Sequence, residues 1–179
     1  MSLETLYEVS QIVAVVAILG SLIAIFFQMR QGQKIARADS QRDLLNHAAE
    51  FMKLTLDNPA VLEDVRRGLM EYDTAPTMTK SNFSTWAWVY MFIMETCTYM
   101  RKDGLITKSS FDGFETGALG IISTPGGHQW WQHTKKVIGV DVSRHLDTRL
   151  MELGDKTPLV YEFLTQFAPI DSAENSKPS

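Results

Sequence analysis

No charged side chain occurs between Glu8 and Arg30. A helix over these 21 residues, 9–29, is about 31 Å long, the thickness of a bilayer's hydrocarbon core. Twelve of them, among them Val9, Ile12, Ile18, Leu19, Leu22, Ile25 and Phe27, are strong inserters, each favourable by about 0.3–0.6 kcal/mol near the bilayer centre. Ser10, Gln11 and Gln28 fall at the ends, where water is close. A buried helix of a soluble protein seldom runs this far without a charge, and a cleaved signal needs a basic start, a shorter apolar run and a small-residue cleavage site. The expectation is therefore a single transmembrane helix over 9–29. Only Glu4 and Glu8 are charged before it, whereas Arg30, Lys34, Arg37 and Arg42 follow it. The positive-inside bias then puts residues 1–8 outside the cytoplasm and the rest of the chain within it.

Small side chains recur along one stripe of the span, at Ala14, Ala17, Ser21 and Ala24, and Gly20 with Ala24 makes a small-xxx-small pair. In lipid such a stripe lets two helix backbones approach closely, so these five positions are the candidates for packing against another helix. Arg30, Lys34, Arg37 and Arg42 are the candidates for binding lipid headgroups, at about 1 kcal/mol each near an anionic surface.

Beyond the span the chain has no proline before Pro59, so the helix is expected to continue as a juxtamembrane stalk over 30–57. Ile35, Ala38, Leu45, Ala49, Met52 and Leu56 mark an approximate heptad seam, broken by Arg42, that is expected to pack on the chain's own domain. Residues 58–167 read as a cytoplasmic helical bundle of five to six helices, and no window alternates with the period of a strand. Asn58-Pro59 starts the first helix, with Glu63 in its first turn and an end near Met70. A loop EYDTAPTMTK follows, then a long apolar helix from about Ser81 to the stop at Gly104. That helix has only 14 uncharged residues between Lys80 and Glu95, too few for a second span. Ser109 or Ser110 should cap the next helix, TPGG should form a turn, and Asp141 should cap a helix that Gly154 ends. The tail, 168–179, is polar and expected to be disordered. The fold class is thus all-α, an anchor followed by a bundle.

Composition narrows the chemistry. A formal charge of −4 argues against nucleic acid as a partner. The single cysteine, Cys97, excludes a disulfide framework and a cysteine-rich zinc site. Glu95, set among Met91, Phe92, Met94 and Tyr99, would have a raised pKa if unpaired, although the commoner fate is a bond to an Arg, a Trp indole or a Tyr hydroxyl. His128 and His133 lie five apart, off the i, i+4 step of helical metal ligands, so no metal is expected. Asp141 with His145, and Asp43 with His47, have that step and read as ordinary polar pairs. Trp130 and Trp131 point about 100° apart on a helix, so one should enter the core while the other covers an edge or touches headgroups.

The order of these features, the span, the QMRQGQKIARADSQ stretch, NPAVLEDVRRGL, YMRKDGLI and TPGGHQWWQ, resembles a widespread group of uncharacterised bacterial single-span membrane proteins over roughly residues 9–153. The resemblance implies a cytoplasmic helical domain at the bacterial inner membrane and no particular activity; Gly127 and His128 depart from the group's usual loop. The function read from the sequence is a membrane-anchored interaction or scaffold protein that binds a protein partner, assembles with itself as a homo-oligomer, or serves as an auxiliary subunit of a membrane complex. It calls for no catalytic residue and no cofactor. The alternative is a membrane-tethered enzyme or small-molecule sensor in which Glu95 and Tyr99 meet His128 or His133 in a pocket.

Overall fold

The computed structural model describes residues 3–169; residues 1–2 and 170–179, which include nearly all of the expected disordered tail, lie outside the described residues. Seven α-helices and three short 3-10 turns account for the fold, with no strand among the described residues. The first helix, α1 (Leu3–Leu56), is unbroken over 54 residues, about 81 Å, so span and stalk are one rod. Its most apolar 18-residue window has a mean hydropathy of 2.6 and none of it is buried. It is the one helix among the described residues that is long and apolar enough to cross a membrane.

Asn58 caps α2 (Pro59–Glu71), its side chain accepting from the Val61 N–H at 3.3 Å, with Pro59 in the first turn where a missing N–H costs nothing. Glu63 falls just past that turn and pairs with Arg66 at 3.5 Å. The long helix α3 (Thr77–Lys102) starts four residues before the expected Ser81. No local side chain caps it. Instead Asp64 of α2 accepts hydrogen bonds from Thr79 and Asn82, each at 2.6 Å, so a carboxylate from the neighbouring helix faces the positive end of α3. Gly104, at φ +68°, ends α3 in the left-handed conformation that glycine adopts without penalty.

Thr107, rather than either serine, caps α4 (Lys108–Ile122) through the Ser110 N–H at 3.1 Å. The TPGG sequence is not a simple turn. Thr124 caps α5 (Pro125–Thr134), accepting from Gly127 N–H at 3.1 Å, and both glycines are buried inside its first turn. A Cβ on Gly126 would collide with the carbonyl oxygen of Gly68, and one on Gly68 with the Phe83 ring, so α2, α3 and α5 cross where glycine removes the spacer. Next, α6 (Val140–Leu153) begins after Gly139, two residues earlier than a cap at Asp141 would allow. The short α7 (Val160–Phe163) and the turn Thr165–Phe167 close the bundle, with Phe167 fully buried at 5.1 Å from Trp86 and Arg66 Nε donating to the Gln166 carbonyl at 2.7 Å.

The core lies among α2–α6. Trp130 and Trp131 are both fully buried, contrary to the division expected of them, because α5 is covered on more than one side. Trp130 meets Phe83 and Trp88 edge-on, with centroids 6.1 Å apart in each case. Trp131 donates Nε1–H to Asp147 at 2.7 Å, and Lys135 completes that carboxylate's partners at 2.9 Å.

Candidate functional site

The polar residues singled out for an enzymatic site do not meet. Glu95 is half-buried on α3 against Gly139, where a Cβ would strike its Oε1, and it makes none of the bonds to Arg, Trp or Tyr that a structural role would supply. His133 faces Asp73 at 3.1 Å and His128 faces Gln132 at 3.3 Å, so neither histidine is bonded to Glu95. Tyr99 is half exposed with the Lys102 ammonium over its ring at 5.7 Å. The convergence that general acid–base chemistry needs is not formed by these four side chains. Among the described residues no group of three or more His, Cys, Asp or Glu is placed to hold a metal ion.

The i, i+4 pair read on α6, Asp141 with His145, is also replaced by longer-range contacts. Asp141 accepts from Lys102 of α3 at 2.7 Å, and the Lys102 ammonium holds its carboxyl below the ordinary carboxylate range. His145 points to Glu115 of α4 at 2.5 Å, and Arg149, one turn further, reaches the same carboxylate at 3.4 Å. Glu115 is a buried acid that the sequence reading passed over. The signal was His145 and Arg149 sharing a face of α6, which asks for an acid on whatever helix packs there.

The stalk merges into the bundle through a different face from the one expected. Gln41, Leu44, Ala48, Phe51 and Thr55 turn inward, with Leu44 and Thr55 buried, Phe51 stacked on Trp86 at 5.8 Å and Gln41 donating to Ser110 at 3.0 Å. Of the heptad seam named above, Met52 alone is half-buried; Ile35, Ala38, Leu45, Ala49 and Leu56 are exposed. The two faces differ by one residue, or about 100° around the helix. Both carry apolar side chains at three- and four-residue steps, so the pattern alone did not say which one the bundle covers.

The exposed seam does not stop at the stalk. Counting back by alternate fours and threes from Leu56 leads through Met52, Ala49, Leu45, Arg42, Ala38, Ile35, Gln31 and Gln28 to Ala24, Ser21, Ala17 and Ala14. The small-residue stripe of the span and the seam of the stalk therefore continue one heptad-spaced series, with Gly20 on its border, which drifts about 20° per heptad on a straight helix and faces one partner throughout only in a left-handed supercoil. Every position on it except Met52 is exposed. Ser21 satisfies its own hydroxyl by donating to the Ala17 carbonyl at 2.8 Å, which suits a lipid-facing or helix-facing position.

Arg30, Lys34 and Arg37 are exposed on α1 just after the apolar segment, with the Arg30 guanidinium 5.5 Å from the Phe26 ring. Arg42 differs from them. It pairs with Asp39 at 3.3 Å and stands about 20 Å along the helix from Met29. A shallow apolar cleft of about 300 Å³ lies between α1, α2 and α3, lined by Phe51, Thr55, Val61, Asn82, Thr85, Trp86 and Val89. Compared with known protein families, characterised proteins and solved structures, the chain has no match.

Proposed function

We propose that the chain is a single-span interaction protein of a bacterial inner membrane, with its N-terminus outside and its helical bundle in the cytoplasm, that assembles through α1 with a second copy of itself. Membership of the uncharacterised single-span group, suggested by the order of sequence features, belongs to the same proposal. The observation that carries it is the largely exposed 3-4 series from Ala14 to Leu56, interrupted by the polar Gln28, Gln31 and Arg42, while the bundle uses the neighbouring face. Chains inserted with the same orientation lie parallel, so a two-fold axis along the bilayer normal sets each seam position against its own copy. A strip about 10 Å wide along the roughly 63 Å from Ala14 to Leu56 covers about 630 Å² per partner, at the lower end of the range for stable interfaces. Small residues suit close packing in lipid, and Ile35, Leu45 and Leu56 supply apolar burial in water.

Oxidative crosslinking in native membranes tests this. Ala38 lies on the seam and Ala36 lies about 200° away, so Ala38→Cys should give a disulfide-linked dimer and Ala36→Cys should not. Equal crosslinking at both, or at neither, would remove the seam as the interface. Protease added outside intact cells should leave the bundle whole; its cleavage would reverse the orientation.

A further inference from the structure

Three sets of contacts fix the direction of α3 against α1. Phe51 packs on Trp86 and Tyr90, Leu44 borders the same cleft as Ile93 and Thr96, and Arg37 Nη2 comes within 3.7 Å of the Cβ position of Gly104. As α1 leaves the apolar segment, α3 therefore runs back toward it. The turn between α3 and α4 is level with Arg37, about 12 Å from Met29, and the headgroup layer occupies roughly the first 5–8 Å of that distance.

The end of the bundle brought back in this way is basic. Arg101 and Lys102 form the last turn of α3 and Lys108 begins α4, joining Arg30, Lys34 and Arg37 on α1. Asp39, Asp103, Asp112 and Asp141 are the acids at this end, and three of these, Asp39, Asp112 and Asp141, are engaged by Arg42 at 3.3 Å, Lys108 at 2.6 Å and Lys102 at 2.7 Å respectively. With Arg42, seven cations against four acids stand at one end of a chain whose formal charge is −4, so the charge is polarised toward the apolar segment. Exposed Val140, next to Asp141, adds an apolar contact at the same end.

We infer that the turn between α3 and α4, with Arg101 and Lys108, is a second membrane contact that docks the bundle on anionic phospholipid headgroups. This rests on the reading of α1 as a span. The span alone leaves the bundle free to tilt on its stalk, whereas a basic end within reach of an anionic surface fixes its height and rotation. Each basic side chain near such a surface changes the docked population about fivefold, and the attraction is screened over about 8 Å at physiological salt.

The test uses the full chain in phosphatidylcholine vesicles, with and without phosphatidylglycerol, carrying a headgroup quencher. A fluorophore is placed at Ser109→Cys, beside the turn, or at Ser81→Cys, near the opposite end of α3. Native Cys97 is buried and stays unlabelled. Quenching at Ser109 should exceed that at Ser81, strengthen with phosphatidylglycerol, and fall when Arg101→Glu and Lys108→Glu are combined or salt is raised to about 1 M. Equal quenching at the two sites, or quenching at Ser109 that ignores both lipid charge and salt in the unaltered sequence, would overturn the inference. Flotation of the same vesicles separates the two failures: protein that floats without docking refutes the second contact alone, and protein that does not float refutes the span with it.

Discussion

Glu115 Oε1 lies 2.5 Å from His145 Nε2, joining α4 to α6 across thirty residues of sequence. The same carboxylate meets Arg149 at 3.4 Å, and Arg149 in turn pairs with Glu152, which together with Glu115 raises the guanidinium pKa. The acid's side chain is 10% exposed, whereas the two bases are 36% and 34% exposed. Glu115→Ala leaves His145 without its carboxylate and Arg149 with Glu152 alone. The cost of breaking a buried pair is reduced by their exposure to water, giving an expected loss of about 1–3 kcal/mol. Urea unfolding of the detergent-solubilised protein should show it, with Glu115→Gln milder than Ala; an unchanged midpoint for Ala would mean that the network does not stabilise the bundle.

Two glycine substitutions should act with opposite sign. Gly126→Ala forces a Cβ into the Gly68 backbone, which cannot rotate away, and should cost about 1–3 kcal/mol or more. Gly113 is exposed in the middle of α4 with open space around it, so Gly113→Ala should stabilise by about 0.5–1 kcal/mol. Thermal melts of the two variants beside the parent would decide the matter, and a shift in the same direction for both would contradict the packing described for α2 and α5.

The Lys102–Asp141 pair gives the α3–α6 contact a defined pH window. Asp141 is held below its ordinary 3.8 by Lys102, so its contribution is present above that value and lost as pH falls through the lower folded pKa. Lys102 is raised above 10.5 by Asp141, so its contribution is present below that value and lost as pH rises through the higher folded pKa. The stability difference between parent and Asp141→Asn should therefore be flat from about pH 5 to 9 and shrink toward both extremes. A difference that changes steadily across neutral pH would point to other groups.

Burial pushes the Cys97 thiol up to about 12. At pH 8 only roughly one molecule in ten thousand then carries the reactive thiolate. Alkylation of the folded protein should be negligible over a period that suffices for complete reaction in denaturant, and rapid labelling of the folded form would show that α3 opens locally.

The helical class, the uninterrupted rod of α1, the Asn58-Pro59 start and the Gly104 and Gly154 stops were legible because each depends on residues close together in sequence. The face of α1 that the bundle covers was not. Leu44, Ala48 and Phe51 compete with Leu45, Ala49 and Met52 for that role, and the choice is made by Trp86 and Tyr90, more than thirty residues away. The start of α3 was missed for a similar reason, since no local side chain caps it and the carboxylate that holds Thr79 and Asn82 of its first turns, Asp64, comes from α2. Asp141 and His145 were expected to interact with each other, yet each found a partner on another helix, Lys102 of α3 and Glu115 of α4, that only the packing of those helices against α6 brings within reach. The candidate polar site had the same weakness: Glu95 and the histidines were grouped by chemical type, and only the packing of α3 against α5 and α6 places them apart.

Everything proposed for this chain turns on α1 lying in lipid. Membranes from cells making the full chain, washed with alkaline carbonate, give the most direct reading. The protein should stay in the pellet, and Ile18→Lys, which places a charge at the middle of the apolar run at a cost of about 2.5–3.5 kcal/mol, should move a part of it to the supernatant. Recovery of the unaltered protein in the supernatant would contradict the account.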